Sequence, residues 1–228
     1  MHRSRALALA TTIGALLLTG CGGDPAPATA TAPTEAASPT AAAASYGQSE
    51  VDAAALDLDD PSLAGFHAFT FPEDTDDEPE TDACADRWGH RFEANSDKAT
   101  IDTDQVSFAQ TDNVGPFVFQ QQTIQPGTGA ADIVTAAKAA YLGNCAKWTN
   151  KDGFEFTATE QKDLGSVGDE SFGYHVSISD GSTDLEVMGI YMSQGNLLSH
   201  VEFAGSPSIN ATKARAVLIA AGRLLPKS

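Results

Sequence analysis

The sequence predicts an α+β domain, a twisted antiparallel sheet flanked by two main helices and carrying one disulfide. Three observations predict it. Seven segments alternate apolar and polar residues with period two, which is the signature of a strand with one buried face. Two segments repeat instead at 3.6 residues. Two cysteines, Cys84 and Cys145, remain once an N-terminal leader with its own Cys21 is set aside.

The leader comes first in the chain. Residues 1–20 place Arg3 and Arg5 before one uncharged apolar run from Ala6 to about Leu18, the tripartite pattern of a secretory signal peptide. That run is shorter than the roughly 20 residues a bilayer-spanning helix needs. It ends in Leu18-Thr19-Gly20-Cys21, which resembles a bacterial lipobox, so Cys21 is the expected lipidated residue and the first residue after cleavage. The expected location is the extracytoplasmic face of the cell membrane, with the chain anchored by lipid and not spanning. Residues 21–50 form the expected linker, rich in Ala, Pro and Thr, with too little apolar bulk to offset the entropy of ordering. Its prolines favour a semi-extended tether, and Thr29, Thr31, Thr34 and Thr40 are candidate sites for O-linked sugar.

Residues 51–228 make one core-forming domain. The period-two segments run over residues 66–71, 99–110, 117–124, 154–159, 172–179, 185–192 and 196–203. The last two are separated by Ser193-Gln194-Gly195 and predict a hairpin in which Gly195 supplies positive φ. The helical segments are 131–142, with Ile133, Val134, Ala137 and Tyr141 on one face, and 208–225, with Ala214, Val217, Leu218, Ala221 and Leu225 together. Asp132 suits the first turn of the former, and Gly143 its end. Pro207-Ser208 reads as the cap of the latter.

Export to an oxidising compartment predicts a Cys84–Cys145 disulfide. Closing a loop of about 60 residues constrains the unfolded chain by roughly 4 kcal/mol in the entropy model. Trp88 and Trp148, soon after the two cysteines, are expected to shield it.

Charge excludes several partners. The chain has 13 Lys+Arg against 31 Asp+Glu, a formal charge of −18 that becomes −20 when the leader is removed. Surfaces that neutralise phosphates need clustered basic residues, so nucleic acid is not an expected partner. The densest acidic run, Glu73 to Asp82, holds seven carboxylates in ten residues but lacks the ligand frame of a calcium loop, and reads as a solvated acidic loop. His175 and His200, with Glu186 or Glu202, were they to share one face of neighbouring strands, would offer zinc ligands, but the spacing is not diagnostic and no metal is expected. Neither a nucleophile elbow nor a Walker or dinucleotide loop is present, so no enzyme activity and no cofactor are expected. Phe117, Phe119, Phe172, Tyr174, Tyr191 and Phe203 are core residues by pattern. Where helices leave the sheet uncovered, Phe117, Phe119, Tyr174 and Tyr191 are the candidate walls of a cleft for a small apolar or envelope-derived ligand.

Several motifs then share one layout: the lipobox and Ala/Pro/Thr linker, the early Cys84, AAYLGNCAKW around Cys145, LGSVGDESFGY entering a strand, SQGNLLSHV with its Gly-Asn turn, and an Ala-rich terminal helix. From Cys21 through Leu225 the chain resembles the lipoprotein members of the PknH-like extracellular sensor domain family of actinobacteria. The resemblance implies an α+β fold with a cleft that binds a ligand outside the membrane, and none of the family pattern is a catalytic signature. The chain departs from the family in having cysteines for one disulfide where members often have two, in reading AAYLGN where a tryptophan-rich stretch often stands, and in lacking a kinase domain. A docking protein of the envelope with no small-molecule site is the alternative reading, and an unrecognised hydrolase a third.

The anchor is testable directly: Cys21→Ala should move the chain from the membrane pellet to the soluble fraction of fractionated cells, and continued sedimentation with membranes would argue against acylation.

Overall fold

The computed structural model describes residues 44–70, 84, 101–102, 106–111 and 115–227. The leader, Cys21, most of the linker, the acidic run 73–82 and Trp88 lie outside the described residues. Among the described residues nine strands form one antiparallel sheet: β1 (His67–Ala68), β2 (Ile101–Asp102), β3 (Val106–Ala109), β4 (Phe117–Ile124), β5 (Lys147–Thr149), β6 (Glu155–Glu160), β7 (Glu170–Ser179), β8 (Asp184–Gln194) and β9 (Leu197–Gly205). Their order is β1-β3-β4-β9-β8-β7-β6-β5, with β2 paired to β4 beside that path. Among the described residues the α-helices are α1 (Gln48–Ala53), α2 (Gly129–Leu142) and α3 (Ala211–Leu224).

Pairing register sorts the side chains into two layers, because residues opposite one another on antiparallel strands share a face. Val118, Met188, Ile190, Met192, Leu197, Val201 and Phe203 point to one face, where they pack with Val51 of α1 and with Ala214, Val217, Leu218 and Ala221 of α3. Phe172, Tyr174, Val176, Tyr191 and Leu198 point to the other, under Ile133, Val134, Ala137 and Tyr141 of α2. The two apolar stripes read from the 3.6-residue repeats are thus the two helix faces that close the sheet from opposite sides.

The strand predicted at 117–124 matches β4, and the predicted hairpin is β8–β9 with Gly195-Asn196 at its turn. Gly195 has φ 54°, and a Cβ there would meet the Ala44 carbonyl oxygen at 2.2 Å, so both conformation and packing require glycine. Asn196 holds the incoming chain by accepting from the Tyr46 amide at 2.7 Å.

Other elements differ from expectation. The segment 66–71 contributes only the two residues of β1. The segment 99–110 is two strands, β2 and β3, and their registers against β4 differ by one position (Ile101↔Ile124, Val106↔Gln120), so one alternation cannot run through both. The α3 cap is Asn210, whose side chain accepts from the Lys213 amide at 3.0 Å, and not Pro207-Ser208. Helix α1 and strand β5 were not expected, and α1 begins at Gln48, ahead of the boundary expected at 51. Cys84 and Cys145 are joined as expected, and Trp148 stacks on Phe156 at 4.2 Å between ring centroids.

Helix α1 is tied to the sheet by buried amides. Gln120 Oε1 accepts from the Leu56 amide at 2.7 Å, and its Nε2 donates to the Ala54 carbonyl at 3.1 Å. Gln122 Nε2 donates to the same carbonyl at 2.7 Å. The chain leaving α1 has no helix or ladder to satisfy these groups, and the two glutamines supply the partners that burial demands. Gln120→Leu should therefore cost roughly 1–3 kcal/mol by stranding the Leu56 amide, read as a lowered urea midpoint with an unchanged slope. A midpoint within error of the wild type would contradict this role.

Candidate functional site

Across the α2 face, one row of paired residues reads Glu160, Tyr174, Gly189, Glu202 and Phe119, contributed by β6, β7, β8, β9 and β4. The place of Gly189 in mid-strand is set by its neighbour. A Cβ at Gly189 would lie 2.4 Å from the Tyr174 hydroxyl oxygen and Cζ, so the tyrosine ring lies across the position a side chain would fill. That posture carries the hydroxyl over β8 to reach β9. There Tyr174 Oη is 2.7 Å from His200 Nε2 and donates a short hydrogen bond to Glu202 Oε1. His200 Nε2 also lies 3.4 Å from Glu202 Oε1.

The cluster is enclosed by aromatic rings. His200 stacks on Tyr191 with centroids 3.9 Å apart and planes 10° from parallel, and Tyr141 of α2 sits 4.4 Å from Tyr174. Burial raises the Tyr174 hydroxyl well above its ordinary range, and the Glu202 charge raises it further, so it stays protonated and donates. Burial also pushes the Glu202 carboxyl up. Electrostatic attraction to the neighbouring His200 ring and the hydrogen bonds from His200 and Tyr174 outweigh that push and hold the carboxyl below its ordinary value of 4.5. The cluster thus fixes an ionised carboxylate at the rim of the core.

Glu202 looks outward into a cavity. Phe117, Phe119, Leu185, Glu202 and Ala204 line a pocket of about 420 Å³, within the roughly 300–1,000 Å³ typical of small-molecule sites. Tyr174, Tyr191 and Leu198 belong to the apolar cluster under α2, and the pocket lies on the same sheet face, lined by residues of β4, β8 and β9. Glu202 Oε1 is occupied by Tyr174 and His200, while Oε2 has no partner among the described residues and the side chain is 29% exposed. Among the described residues, four apolar side chains and one carboxylate line the pocket.

The four cleft residues expected from sequence separate into two pairs. Phe117 and Phe119 line the pocket, with Phe69 packed on Phe117 at 5.4 Å. Tyr174 and Tyr191 do not: they are 0% and 2% exposed, because α2 covers the sheet at that point, and Tyr174 reaches the pocket only through Glu202. The zinc arrangement also fails on geometry. His200 shares its face with Glu202, whereas His175 points to the α3 face, 3.9 Å from Glu186, so the two imidazoles are on opposite sides of the sheet. Among the described residues no group of three His, Cys, Asp or Glu is placed to hold a metal ion. Leu185 and Ala204 were missed; the parity of β9 with β4, which sets Ala204 opposite Phe117, was the signal available once the pairing was known.

A second, more polar cleft of about 480 Å³ lies between the 168–169 loop and the end of α3. Its carboxylate, Asp169, is already committed to the hairpin turn, accepting from Gln194 Nε2 at 3.0 Å and from the Gly195 amide at 2.7 Å. It reads as the brace of the turn.

No family model matches the chain, and no curated protein matches it. Among solved structures, the extracellular domain of PknH from Mycobacterium tuberculosis is similar at 16% identity with a TM-score of 0.38. The match covers 52% of this chain and 62% of that one. Among the described residues no helix is long and apolar enough to cross a membrane.

The lowered Glu202 carboxyl has a signed consequence for stability. A group whose folded pKa is depressed contributes in full above its unfolded value and loses that contribution as pH falls through the folded one. The stability gap between wild type and Glu202→Gln should be largest near about pH 6 and shrink toward about pH 3, measured by thermal melts across that range. A gap that widens on acidification would contradict the assignment.

Proposed function

We propose that this chain is an extracytoplasmic, sensor-like ligand-binding domain, held to the membrane by acylated Cys21, that works by binding and not by covalent turnover. The observation that carries the reading is the pocket of Phe117, Phe119, Leu185 and Ala204 with the oriented Glu202 carboxylate on its wall. Concave, mostly apolar sites with one or two fixed polar groups are the usual form of a small-molecule site. The ionisable groups behind it favour binding over catalysis: Tyr174 is fully buried and its hydroxyl is engaged by His200 and Glu202, so it has no approach to a bound molecule. The leader and the lipobox motif support the address, and the resemblance noted in the sequence agrees with a ligand taken up outside the membrane.

The test is binding of a neutral apolar fluorophore, N-phenyl-1-naphthylamine, to the full chain, together with mass spectrometry of molecules that co-purify with it. Enhanced, blue-shifted emission that falls at least about fivefold in affinity in Ala204→Phe, where the new ring fills the cavity, is the expected result. Unchanged emission and repeated absence of any enriched molecule would turn the reading toward the docking protein.

A further inference from the structure

We infer that the cleft between the 168–169 loop and the end of α3 is a second binding site, for an amino-acid unit with a free carboxylate and an N–H on its α-carbon. Arg223 and Lys227 receive the carboxylate, Gln194 Oε1 accepts from the N–H, and Leu225 and Pro226 meet the side chain. The site shares no lining residue with the apolar pocket at Glu202, so its failure would leave the reading of that pocket standing.

The cleft forms where backbone stands in for side chains. Gly168 has φ 68°, and a Cβ there would lie 2.2 Å from the Ser193 carbonyl oxygen. A Cβ at Gly222 would lie 2.7 Å from Val167 Cγ1, so the loop sits close against both β8 and the last turn of α3. Asp169 then fixes Gln194. Its amide donates to the Ser193 carbonyl at 2.8 Å, and its carboxylate accepts from Gln194 Nε2 at 3.0 Å and from the Gly195 amide at 2.7 Å. With Nε2 held there, Oε1 is the acceptor that Gln194 has left to offer. Gln194 lines the cleft, is only 6% exposed, and receives no donor at Oε1 among the described residues. A carbonyl oxygen on so buried a residue is stabilised by an N–H that a ligand brings.

The cations stand at the other wall. Arg223 and Lys227 are exposed and have no ion pair or side-chain hydrogen bond among the described residues, in contrast to Lys138, Lys162 and Arg215. Their place at the end of α3 suits the helix dipole, yet it leaves their N–H donors unused. A guanidinium presents a planar fork that matches a carboxylate. Charges farther than about 8 Å are largely screened at physiological ionic strength, so these two cations, and not the formal charge of −18, govern what a carboxylate meets on that wall. Asp169 keeps its negative charge on the Gln194 side, which favours an N–H there and disfavours a bare anion.

A matched series tests the site: N-acetyl-leucine, N-acetyl-leucinamide, which lacks the charge, and 4-methylpentanoate, which lacks the N–H. Each is titrated at neutral pH into the isotope-labelled full chain and followed by NMR at the amides of Gly168, Asp169 and Gly195 and the side-chain amide of Gln194. N-acetyl-leucine should bind about tenfold or more tighter than the amide and about threefold or more tighter than 4-methylpentanoate. Arg223→Gln combined with Lys227→Gln, at exposed positions that leave folding intact, should erase the advantage over the amide. Equal affinities across the series, or no shifts at these positions, would overturn the site, and a preference that survives the double variant would overturn the assignment of the carboxylate. Leucine set against N-acetyl-alanyl-leucine separates the two sources of this chemistry: tighter binding of the first assigns a free amino acid, and of the second the C-terminus of a peptide.

Discussion

The passage of the Tyr174 ring over Gly189 is the constraint on which the α2 side of the sheet depends. A tyrosine on β7 can reach β9 only if the intervening strand presents no side chain, and Gly189 is the residue that leaves that space. Glycine weakens a strand by its entropy and its missing side chain. Here the ring covers the exposed backbone, and its hydroxyl ends at His200 and Glu202 on the next strand. One side chain therefore links three strands, supports α2 through Tyr141, and orients the one carboxylate that lines the pocket among the described residues.

The polar cluster fits in the core because every member is matched in chemistry. A buried phenol retains its proton and requires an acceptor, and Glu202 supplies it. A carboxylate at the edge of the core needs donors, and Tyr174 and His200 supply them. His200 in turn packs its face on Tyr191, so an imidazole that is 6% exposed keeps an apolar contact on one side and a polar one at its edge. Removing any one partner leaves the others unsatisfied, and that asymmetry, more than the strength of any bond, holds the arrangement together.

Much of this architecture was legible in the sequence and some of it was not, for identifiable reasons. Periodicity located β4, β6 to β9, α2 and α3, because each of them buries one face along most of its length. It passed over α1, whose six residues include only Val51 as a buried apolar position and whose attachment is made by Gln120 and Gln122, polar residues that read as solvent-facing. Alternation also assigns residues to faces without saying how far a helix covers each face. Phe117 and Tyr174 therefore looked equivalent as cleft walls, yet α2 buries one and leaves the other lining a cavity. The two histidines show the same limit: parity within each strand was readable, but whether position 175 and position 200 share a face depends on the β7–β8–β9 register, which residue types alone do not fix.

The same register explains why rigidity and access can coexist on one sheet face. From β6 to β9 the face is filled by the α2 stripe and its aromatic rings, and toward β4 the covering cluster ends. Glu202 stands at that boundary, anchored by Tyr174 from the filled side and presented at the pocket on the other. A binding group held from behind by a fully packed core loses little freedom on meeting a ligand, so the entropy of ordering it is spent during folding and not during binding. In the binding role proposed for the pocket, the aromatic core under α2 is its rigid support, and substitutions there would act on recognition through the posture of a single carboxylate.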